Sequence, residues 1–491
     1  MLQRTENKKF KTSLEFLNSF MEKGKDVEEL PSGGLVKLVA NLRNLGLYDM
    51  APDYFVLLTP RDLPEELLQK AGDDLQKMKV EKNAVLKANF KKNMAALKKS
   101  FPDLHQMMRG RAPENMLVAG DHETGYRILK KVGRKYEDIT FPESWIEEVT
   151  QRLEDLLPRI QNENAVFLSD FLNCDVIIRL AELTKRKGYQ NELVLYVVEP
   201  EKEIFYTILQ THDIADLMTL KRLVPFVGDY FENQIAEWFD TNLFAPHSTL
   251  HFSSKEVAER VGKCIGKALD AYLYKLERIK SETSKYYEGI SNEEWKAEFQ
   301  SGKLKILLET TRYSSYVKHC TKYAANALKK LGHSVEIHIE PGDASPGSLL
   351  AILDHVISFK PNLAFMIDYD RGEPPDAYPP QLPFATWMQD EFGTIYGGSV
   401  KSGPRDFIFT VLKDDFVKSG YNPDEIHVLP IVASEEIFHP MELTGEDMET
   451  YGCDVAFVSN IPSWNDLLKS SKRPDDKLLY AHIRNKLEQD I

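Results

Sequence analysis

The stretch Leu304-Lys-Ile-Leu-Leu308 is a short apolar run of the kind that forms a buried β-strand. It is followed by a helical pattern at 317–331, an apolar run at 335–339, a second helical pattern at 348–359 and a third apolar run at 362–367. Strands that alternate with helices in this way pair in parallel, because each helix carries the chain back to the same edge of the sheet. The stretch therefore predicts a doubly wound α/β sheet.

Further strands are predicted on both sides of this series. Three more apolar runs extend it downstream, at 384–388, 407–411 and 426–429. A separate upstream series has the same alternation. Its predicted strands are 165–168, 193–198 and 223–227, and its predicted helices are 175–187 and 201–209. The sequence therefore predicts two Rossmann-like parallel-sheet domains in an α/β protein.

The segments outside the two predicted sheet domains are expected to be helical. We expect a helical amino-terminal region at 1–105, a Rossmann-like domain at 106–250, a helical connector at 251–302 and a second α/β domain at 303–450. An apolar stripe at 261–279 of the connector recurs at helical spacing for only about three heptads. It predicts a packing face between domains rather than a coiled coil.

The charge balance limits the classes of partner. The chain of 491 residues has 62 Lys and Arg against 76 Asp and Glu, a net charge of −14. An acidic chain repels phosphate backbones at long range, so general nucleic-acid binding is not expected. The lysine-rich stretch 77–99 has helical apolar spacing, which predicts a solvated helix face, with contact to an anionic partner as the alternative.

The cysteines and the hydropathy pattern bear on the cellular setting. The four cysteines are far apart and form no C-x-x-C pair, so neither a zinc ribbon nor a disulfide scaffold is predicted. No apolar run approaches the length of a membrane span, and the first residues lack the apolar region of a secretory signal. We therefore expect a cytoplasmic protein without a membrane span.

Candidate site residues follow the predicted strands of the second sheet, because ligands of parallel sheets bind beyond the carboxyl ends of the strands. Glu309, Thr310 and then Thr311, Arg312 and Tyr313 follow the first strand, and Asp368 and Asp370 follow the third. Trp387 lies in the fourth strand, and Asp390 comes shortly after it. These side chains are predicted to converge in one crevice. The alternative for the two aspartates Asp368 and Asp390 is that they cap loops or helices.

Asp390 is the main catalytic candidate. The apolar neighbours Trp387 and Met388 are expected to raise its pKa toward that of a useful base, and Asp368 is its predicted partner. The alternative is that Asp390 caps the turn into the glycine-rich loop 393–403. That loop lacks the G-K-[ST] ending of a P-loop.

The first α/β series lacks a dinucleotide fingerprint. The turn 169–175 contains no glycine, although Glu199 ends the next strand, where such folds place a ribose-binding acid. Cofactor binding by this domain is therefore not expected. His247 and His251 are four residues apart, but no acidic companion supports a metal site there, and no metal is predicted.

Two sets of motifs resemble known families. One set comprises Lys305-Ile-Leu-Leu, Leu363-Ala-Phe-Met-Ile-Asp, Leu382-Pro-Phe-Ala-Thr-Trp-Met-Gln-Asp390, Asp406-Phe-Ile-Phe-Thr, His427-Val-Leu-Pro, Phe438-His-Pro and Cys453-Asp-Val-Ala-Phe-Val-Ser-Asn460. By these motifs, 303–460 resembles the amino-terminal lobe of GT-B glycosyltransferases of the CgeB-like kind. The other set is Asn93-Met-Ala-Ala-Leu-Lys-Lys-Ser-Phe-Pro-Asp-Leu and Tyr196-Val-Val-Glu-Pro. By these, 83–240 resembles the Maf-type flagellin glycosyltransferases.

The resemblance implies sugar transfer from a nucleotide-sugar donor to a protein or cell-surface glycan acceptor. In GT-B enzymes the amino lobe holds the acceptor, which would place acceptor-binding roles on Thr311, Arg312, Tyr313, Asp370 and Trp387. Ser459 and Asn460 would lie on the donor side. The segment 451–491 would begin a donor lobe too long for the residues that remain, so the resemblance implies a fragment or a lost lobe.

Two alternatives of other classes remain open at the level of sequence. One is a non-catalytic module for protein recognition or scaffolding, which would hold a partner in the same crevice or on the helical region. The other is a methyltransferase-like domain at 164–240, although that reading lacks the expected glycines. The sequence does not choose between inverting and retaining transfer, and the expected cofactor set is a nucleotide-sugar as co-substrate with no covalently bound cofactor. It also leaves the sugar, the acceptor and the oligomeric state open.

Overall fold

The computed structural model describes most of the chain in two compact units, Met1–Ile431 and Val432–Ile491. The described residues are 2–23, 30–58, 64–110, 112–121, 125–140, 151, 155, 164–169, 171, 174–185, 192–248, 251–252, 255–314, 316–372, 376–389, 403–435, 439–440, 442 and 444–452. Within them, the chain is mixed α/β, with two parallel sheets flanked by helices. This confirms the predicted fold class.

The first part of the chain is helical, as its periodicity predicts. The helices are α1 (Leu2–Lys23), α2 (Ser32–Asn44), α3 (Ala51–Phe55), α4 (Glu65–Ser100) and α5 (Pro102–Met107). Leu17, Leu38 and Leu42 bury their side chains almost completely in the core that α1 and α2 share. This core also contains Ala119 and Leu129, which come from strands that the sequence analysis did not predict.

These strands form an antiparallel sheet, with β1 (Met116–Asp121) paired to β2 (Gly125–Val132) and β2 paired to β3 (Lys135–Asp138). The sheet approaches the loop after α2 very closely: Gly120 donates its N–H to the Leu45 carbonyl over 2.9 Å. A Cβ atom on Gly46, which has a φ of +64°, would lie 2.5 Å from the Gly120 nitrogen. Only glycine fits at this contact.

Lys82 corrects the prediction that 77–99 presents its lysines to solvent. Its side chain is 2% exposed, and its ammonium group donates to the carbonyls of Gly46 (2.7 Å) and Val118. Burial lowers the pKa of Lys82 to about 8, against the opposing influence of Asp49 and Asp121. The buried lysine thus links α4 to the loop after α2 and to β1.

The first parallel sheet has the strand order β6-β5-β4-β7. Its strands are β4 (Ala165–Ser169), β5 (Val194–Glu199), β6 (Leu223–Val227) and β7 (His251–Phe252), and every neighbouring pair is parallel. The flanking helices are α6 (Cys174–Leu183), α7 (Lys202–Thr211), α8 (Ala215–Thr219) and α9 (Phe231–Thr241). β4, β5 and β6 are buried at every position, which is typical of parallel sheets covered on both faces.

Asn93 joins the amino-terminal helices to this sheet domain. Its side chain is fully buried and donates to the carbonyls of Leu209 (2.8 Å) and His212 (2.7 Å). Its amide oxygen accepts the Ile214 N–H over 3.1 Å. The long helix α4 is therefore fixed to the turn between α7 and α8 by three hydrogen bonds from one side chain.

The predicted connector is the helix α10 (Lys255–Glu288), followed by α11 (Asn292–Gln300). Val257 and Val261 near its start pack into the core of the first parallel sheet. Ile279, further along, packs on Leu350 and Leu353 of the next domain. The stripe on α10 is therefore a packing face between the two sheets.

The second parallel sheet has the strand order β13-β12-β11-β10-β8-β9. Its strands are β8 (Lys305–Glu309), β9 (Ser334–His338), β10 (Leu363–Ile367), β11 (Phe384–Met388), β12 (Asp406–Thr410) and β13 (Ile426–Val428). All neighbouring pairs are parallel. The helices of this domain are α12 (Val317–Lys330), α13 (Leu349–Phe359) and α14 (Lys413–Lys418). In chain order the strands are arranged 2-1-3-4-5-6, which is a doubly wound sheet with its switch point between β8 and β10.

Arg371 stabilises the connection from β10 to β11. Its guanidinium group is buried, donates to Asp406 and to the carbonyls of Pro379 (2.7 Å) and Leu382 (2.6 Å), and lies 4.9 Å from the centre of the Phe384 ring. A buried arginine requires this full set of partners, because an unpaired charge in the interior is costly. The ion pair therefore fixes the path of the chain between the two strands.

The described residues of the second unit include the helix α15 (Gly445–Tyr451). Thr444 and Asp447 form a capping box at its start: the Thr444 hydroxyl accepts the Asp447 N–H, and the Asp447 carboxylate accepts the Thr444 N–H. Across both units, no helix in the described part of the chain is long and apolar enough to cross a membrane.

Candidate ligand site at the carboxyl edge of the second sheet

The switch point of the second sheet brings two chain segments together. β8 and β10 are neighbours, with Met366 paired to Glu309 at their carboxyl ends. From this point β9 lies on one side and β11 on the other, so the connections diverge, and such switch points are where doubly wound sheets bind ligands. Glu309 and Thr310 reach this edge from β8, and Asp368 reaches it from β10.

Glu309 is one of several titratable groups at this edge whose pKa is clearly shifted, together with His338 and Tyr313. The pKa of Glu309 is raised to about 7, mainly by burial; the hydrogen bond from the Tyr378 hydroxyl opposes the rise, and the Glu340 carboxylate adds to it. A carboxyl group with this pKa changes its protonation near neutral pH. Glu309 follows the first predicted strand, but no role was predicted for it from the sequence. Its partner Tyr378 is 69 residues away in the chain, so spacing does not reveal the contact.

Asp368, predicted to be catalytic, joins the ends of two strands. It is 3% exposed and has a φ of +63°, in the left-handed region that aspartate tolerates better than most residues. Its carboxylate accepts the Gln389 N–H over 2.7 Å, and its own N–H donates to the Trp387 carbonyl over 3.1 Å. These are the contacts expected if Asp368 caps a loop rather than acting in catalysis. The catalytic role of Asp368 stays a prediction.

Two buried polar side chains at this edge have no hydrogen-bond partner among the described residues. They are the hydroxyl of Thr310 and the amide nitrogen of Gln389, and each residue is 5% exposed. The other amide atom of Gln389 accepts the Tyr316 hydroxyl over 2.8 Å, which fixes the orientation of the amide. Because buried polar groups are nearly always paired, Thr310 and Gln389 are candidates for binding a ligand.

Arg312 and Tyr313 bind the loop after β9. The Arg312 guanidinium group forms an ion pair with Asp343 at 2.9 Å, and the Tyr313 hydroxyl donates to the Asp343 carbonyl over 2.9 Å. Thr311 accepts the Tyr313 N–H with its hydroxyl, over 3.3 Å. The structure thus brings the three predicted acceptor-binding residues together near the edge, but it engages Arg312 and Tyr313 in holding a loop.

Asp370 and Trp387 also make structural contacts. The Asp370 carboxylate accepts the Gly372 N–H over 2.7 Å and the Tyr421 hydroxyl over 3.3 Å, as in an Asx-type turn. Trp387 is 8% exposed and packs against Val317 and Ile367 under α12. Their predicted acceptor-binding roles remain predictions.

Three predicted site residues lie outside the described residues. These are the catalytic candidate Asp390 and the donor-side candidates Ser459 and Asn460. The raised pKa expected for Asp390, and its predicted partnership with Asp368, stay predictions.

At the corresponding edge of the first sheet, the glutamate that ends β5 binds main-chain N–H groups of the same domain. Glu199 ends β5 and is 2% exposed. One of its carboxylate oxygens accepts the Phe171 N–H and the other the Glu201 N–H, each over 3.0 Å. In a dinucleotide fold an acid at this position would face a ribose, whereas here both of its oxygens bind the main chain.

Within the ranges that the structure describes, no group of three or more His, Cys, Asp or Glu side chains is placed to hold a metal ion. Comparison of the chain with protein-family models, with curated proteins and with solved structures found no match.

Proposed function

We propose that this chain takes part in glycosyl transfer from a nucleotide-sugar, and that the carboxyl edge of the second sheet binds the acceptor. The resemblance of 303–460 to GT-B amino-terminal lobes, and of 83–240 to Maf-type glycosyltransferases, supports the class of reaction. The doubly wound order of the second sheet supports the place, because such sheets bind ligands at the switch point.

The observation that carries the proposal is the Glu309 carboxyl group at this switch point, which accepts a hydrogen bond from the Tyr378 hydroxyl and whose burial raises its pKa to about 7. A general base works best when its pKa lies near the working pH, since it is then deprotonated and still basic enough to accept a proton. An ordinary exposed glutamate, with a pKa near 4.3, would be a much weaker base. We therefore assign Glu309 the role of general base, as an alternative to Asp390, whose catalytic role stays a prediction.

In this role the Glu309 carboxylate takes the proton of the acceptor hydroxyl. The acceptor oxygen forms a bond to the anomeric carbon of the donor sugar, and the bond from that carbon to the phosphate oxygen breaks. The nucleoside diphosphate leaves with the electron pair. A base that acts directly on the attacking hydroxyl belongs to an inverting transfer.

The buried side chains of Thr310 and Gln389 would orient the acceptor. The Gln389 amide nitrogen donates hydrogen bonds, and the Thr310 hydroxyl both donates and accepts. A sugar or another ligand rich in hydroxyl groups would supply the partners that the described residues do not. The cellular location that we propose is the cytoplasm, because nucleotide-sugars are made there.

The test measures binding and turnover of a panel of nucleotide-sugars by calorimetry and by release of the nucleoside diphosphate. Glu309→Gln is expected to lower turnover about a hundredfold with little change in donor affinity. Glu277→Gln, on the exposed face of α10, is the matched control and is expected to leave both unchanged. Full turnover by Glu309→Gln would refute the assignment of the base.

A second result would refute the class of reaction. If no nucleotide-sugar binds to this chain or to a longer version of it, glycosyl transfer is wrong. Binding of a protein partner under the same conditions would then favour the recognition module.

A further inference from the structure

A groove between α9 and α10 is the starting point for a proposal separate from the proposed function. The cavity has a volume of about 340 Å³. Its apolar floor consists of Ala236, Phe239, Cys264, Ala268, Ala271 and Leu350. Ala236 of α9 and Ala268 and Ala271 of α10 line the groove with short side chains, which leave the space above them open.

Ion pairs between the two helices close both ends of the groove. Arg260 of α10 binds Glu232 of α9 at 2.6 Å. At the other end, Lys275 donates to the Asp240 carbonyl over 3.0 Å, and its ammonium group lies 3.7 Å from the Asp240 carboxylate. The two closures are fifteen residues apart on α10, which corresponds to about 22 Å of helix.

The middle of the groove has a cationic rim. Lys263 forms an ion pair with Glu259 of its own helix at 2.6 Å. Lys267, one turn further along, makes no ion pair with any residue that the structure describes. An anion above the alanine floor would therefore meet the ammonium group of Lys267, in a chain that otherwise carries a net charge of −14.

The volume of the groove decides the shape of its occupant. A helix about 10 Å wide running for about 22 Å would need roughly 1,700 Å³, several times what is present. The observed volume is at the lower end of the range for small-molecule sites.

We propose that this groove binds a medium-chain alkyl anion, a carboxylate or a phosphate monoester. The alkyl chain lies along the alanines, where it removes apolar surface from water, and the head group binds Lys267. Charge complementarity selects the anion, and the length of about 22 Å between the two closures leaves room for a medium-length alkyl chain.

The first test is calorimetric titration of the full chain with decanoate and with decyl phosphate. Both are expected to bind at one saturable site. Decanol, which lacks the charge, and acetate, which lacks the chain, are expected to bind at least tenfold more weakly. No saturable binding, or decanol binding as tightly as decanoate, overturns the proposal.

Two variants locate the site. Ala271→Phe fills the groove from an exposed position, and Lys267→Glu reverses the charge at its rim; each is expected to weaken decanoate binding at least tenfold. Ala327→Phe and Lys322→Glu, at exposed positions of α12, are the matched controls and are expected to bind as the unchanged chain does. Equal affinity in the groove variants and the controls overturns the proposal.

A measurement on the unsubstituted chain is independent of any folding defect. Cys264 in the floor and Cys320 on α12 are both free thiols. Saturating decanoate is expected to slow the alkylation of Cys264 at least tenfold and to leave that of Cys320 unchanged. An unchanged rate at Cys264 overturns the proposal.

Discussion

Each of the two parallel sheets ends one of its inner strands with a glutamate, and the two glutamates have different surroundings. In the first sheet, the carboxylate of Glu199 accepts the backbone N–H groups of Phe171 and Glu201. In the second sheet, the carboxyl group of Glu309 receives a hydrogen bond from the Tyr378 hydroxyl, and its pKa is raised to about 7. The same residue type at the same edge of a parallel sheet thus fixes the main chain in one domain and titrates near neutrality in the other.

The difference extends to the neighbouring side chains. At the carboxyl edge of the second sheet, the buried side chains of Thr310 and Gln389 each have a polar atom without a partner among the described residues. Because a fold supplies the edge and the local partners decide its chemistry, the second sheet is the better candidate for a ligand site.

The largest effect is expected from breaking the connection that carries Tyr378. Arg371→Met leaves Asp406 buried without its cation and removes the donor to two carbonyls, so we expect a loss of about 3–5 kcal/mol in the free energy of unfolding. Denaturant unfolding measures it. Arg278→Met, which removes an exposed ion pair with Glu282, is the control and should cost less than about 0.5 kcal/mol. A loss below about 1 kcal/mol for Arg371→Met would show that the ion pair does not hold this connection.

The second prediction sets the two glutamates against each other. Glu199→Ala leaves two backbone N–H groups without their acceptor, and we expect it to destabilise the chain by about 2–4 kcal/mol. Glu309→Gln keeps the shape and an acceptor for Tyr378, and at pH 7 we expect it to be neutral or stabilising. Equal losses in the two variants would contradict the distinction between them.

The third prediction concerns pH. The pKa of Glu309 is raised in the folded chain, so between about pH 4.5 and pH 7 the folded state binds more protons than the unfolded state, and stability falls as the pH rises. Relative to Glu309→Gln, the unsubstituted chain should lose about 2 kcal/mol over this interval. Denaturant unfolding at pH 4.5, 5.5, 6.5 and 7.5 gives the difference, and a constant difference would contradict the raised pKa.

The smallest effect is expected from the hydroxyl of Tyr378. Tyr378→Phe removes the hydrogen bond that lowers the pKa of Glu309, so this pKa should rise further, with a loss of stability of about 1 kcal/mol. Tyr316→Phe is the control, because its hydroxyl donates to Gln389. The pKa of Glu309 should be unchanged in Tyr316→Phe, and an equal shift in both variants would refute the assignment.

The sequence predicted the parallel sheets because their strands are short, apolar and separated by helical patterns. The predicted run 384–388 coincides with β11, and 223–227 coincides with β6. The sequence did not predict β1 to β3, because buried and exposed residues do not alternate strictly along them and β2 carries three charged residues among its eight. β7 is only two residues long, too short to give a periodic signal.

The candidate site was less predictable than the fold. The order of strands and helices predicted that the site would lie at the carboxyl edge of the sheet. The partners of each side chain could not be predicted, because they come from distant parts of the chain. Tyr378 beside Glu309 and Asp343 beside Arg312 could not be inferred from spacing. The burial of Lys82 could not be predicted for the same reason. Its ammonium group binds the carbonyls of Gly46 and Val118, and helical periodicity carries no information about such distant partners.

The protonation of the Glu309 carboxyl group is the property on which the contrast between the two sheets depends. Infrared difference spectra of the full chain, taken as the unsubstituted protein minus Glu309→Gln from pH 4 to pH 9, isolate its carboxyl band. The expected midpoint is at about pH 7, because burial raises the pKa of this group. A midpoint at about pH 4.5 or lower, the value of an ordinary exposed glutamate, would contradict a titrating carboxyl at the switch point of the second sheet.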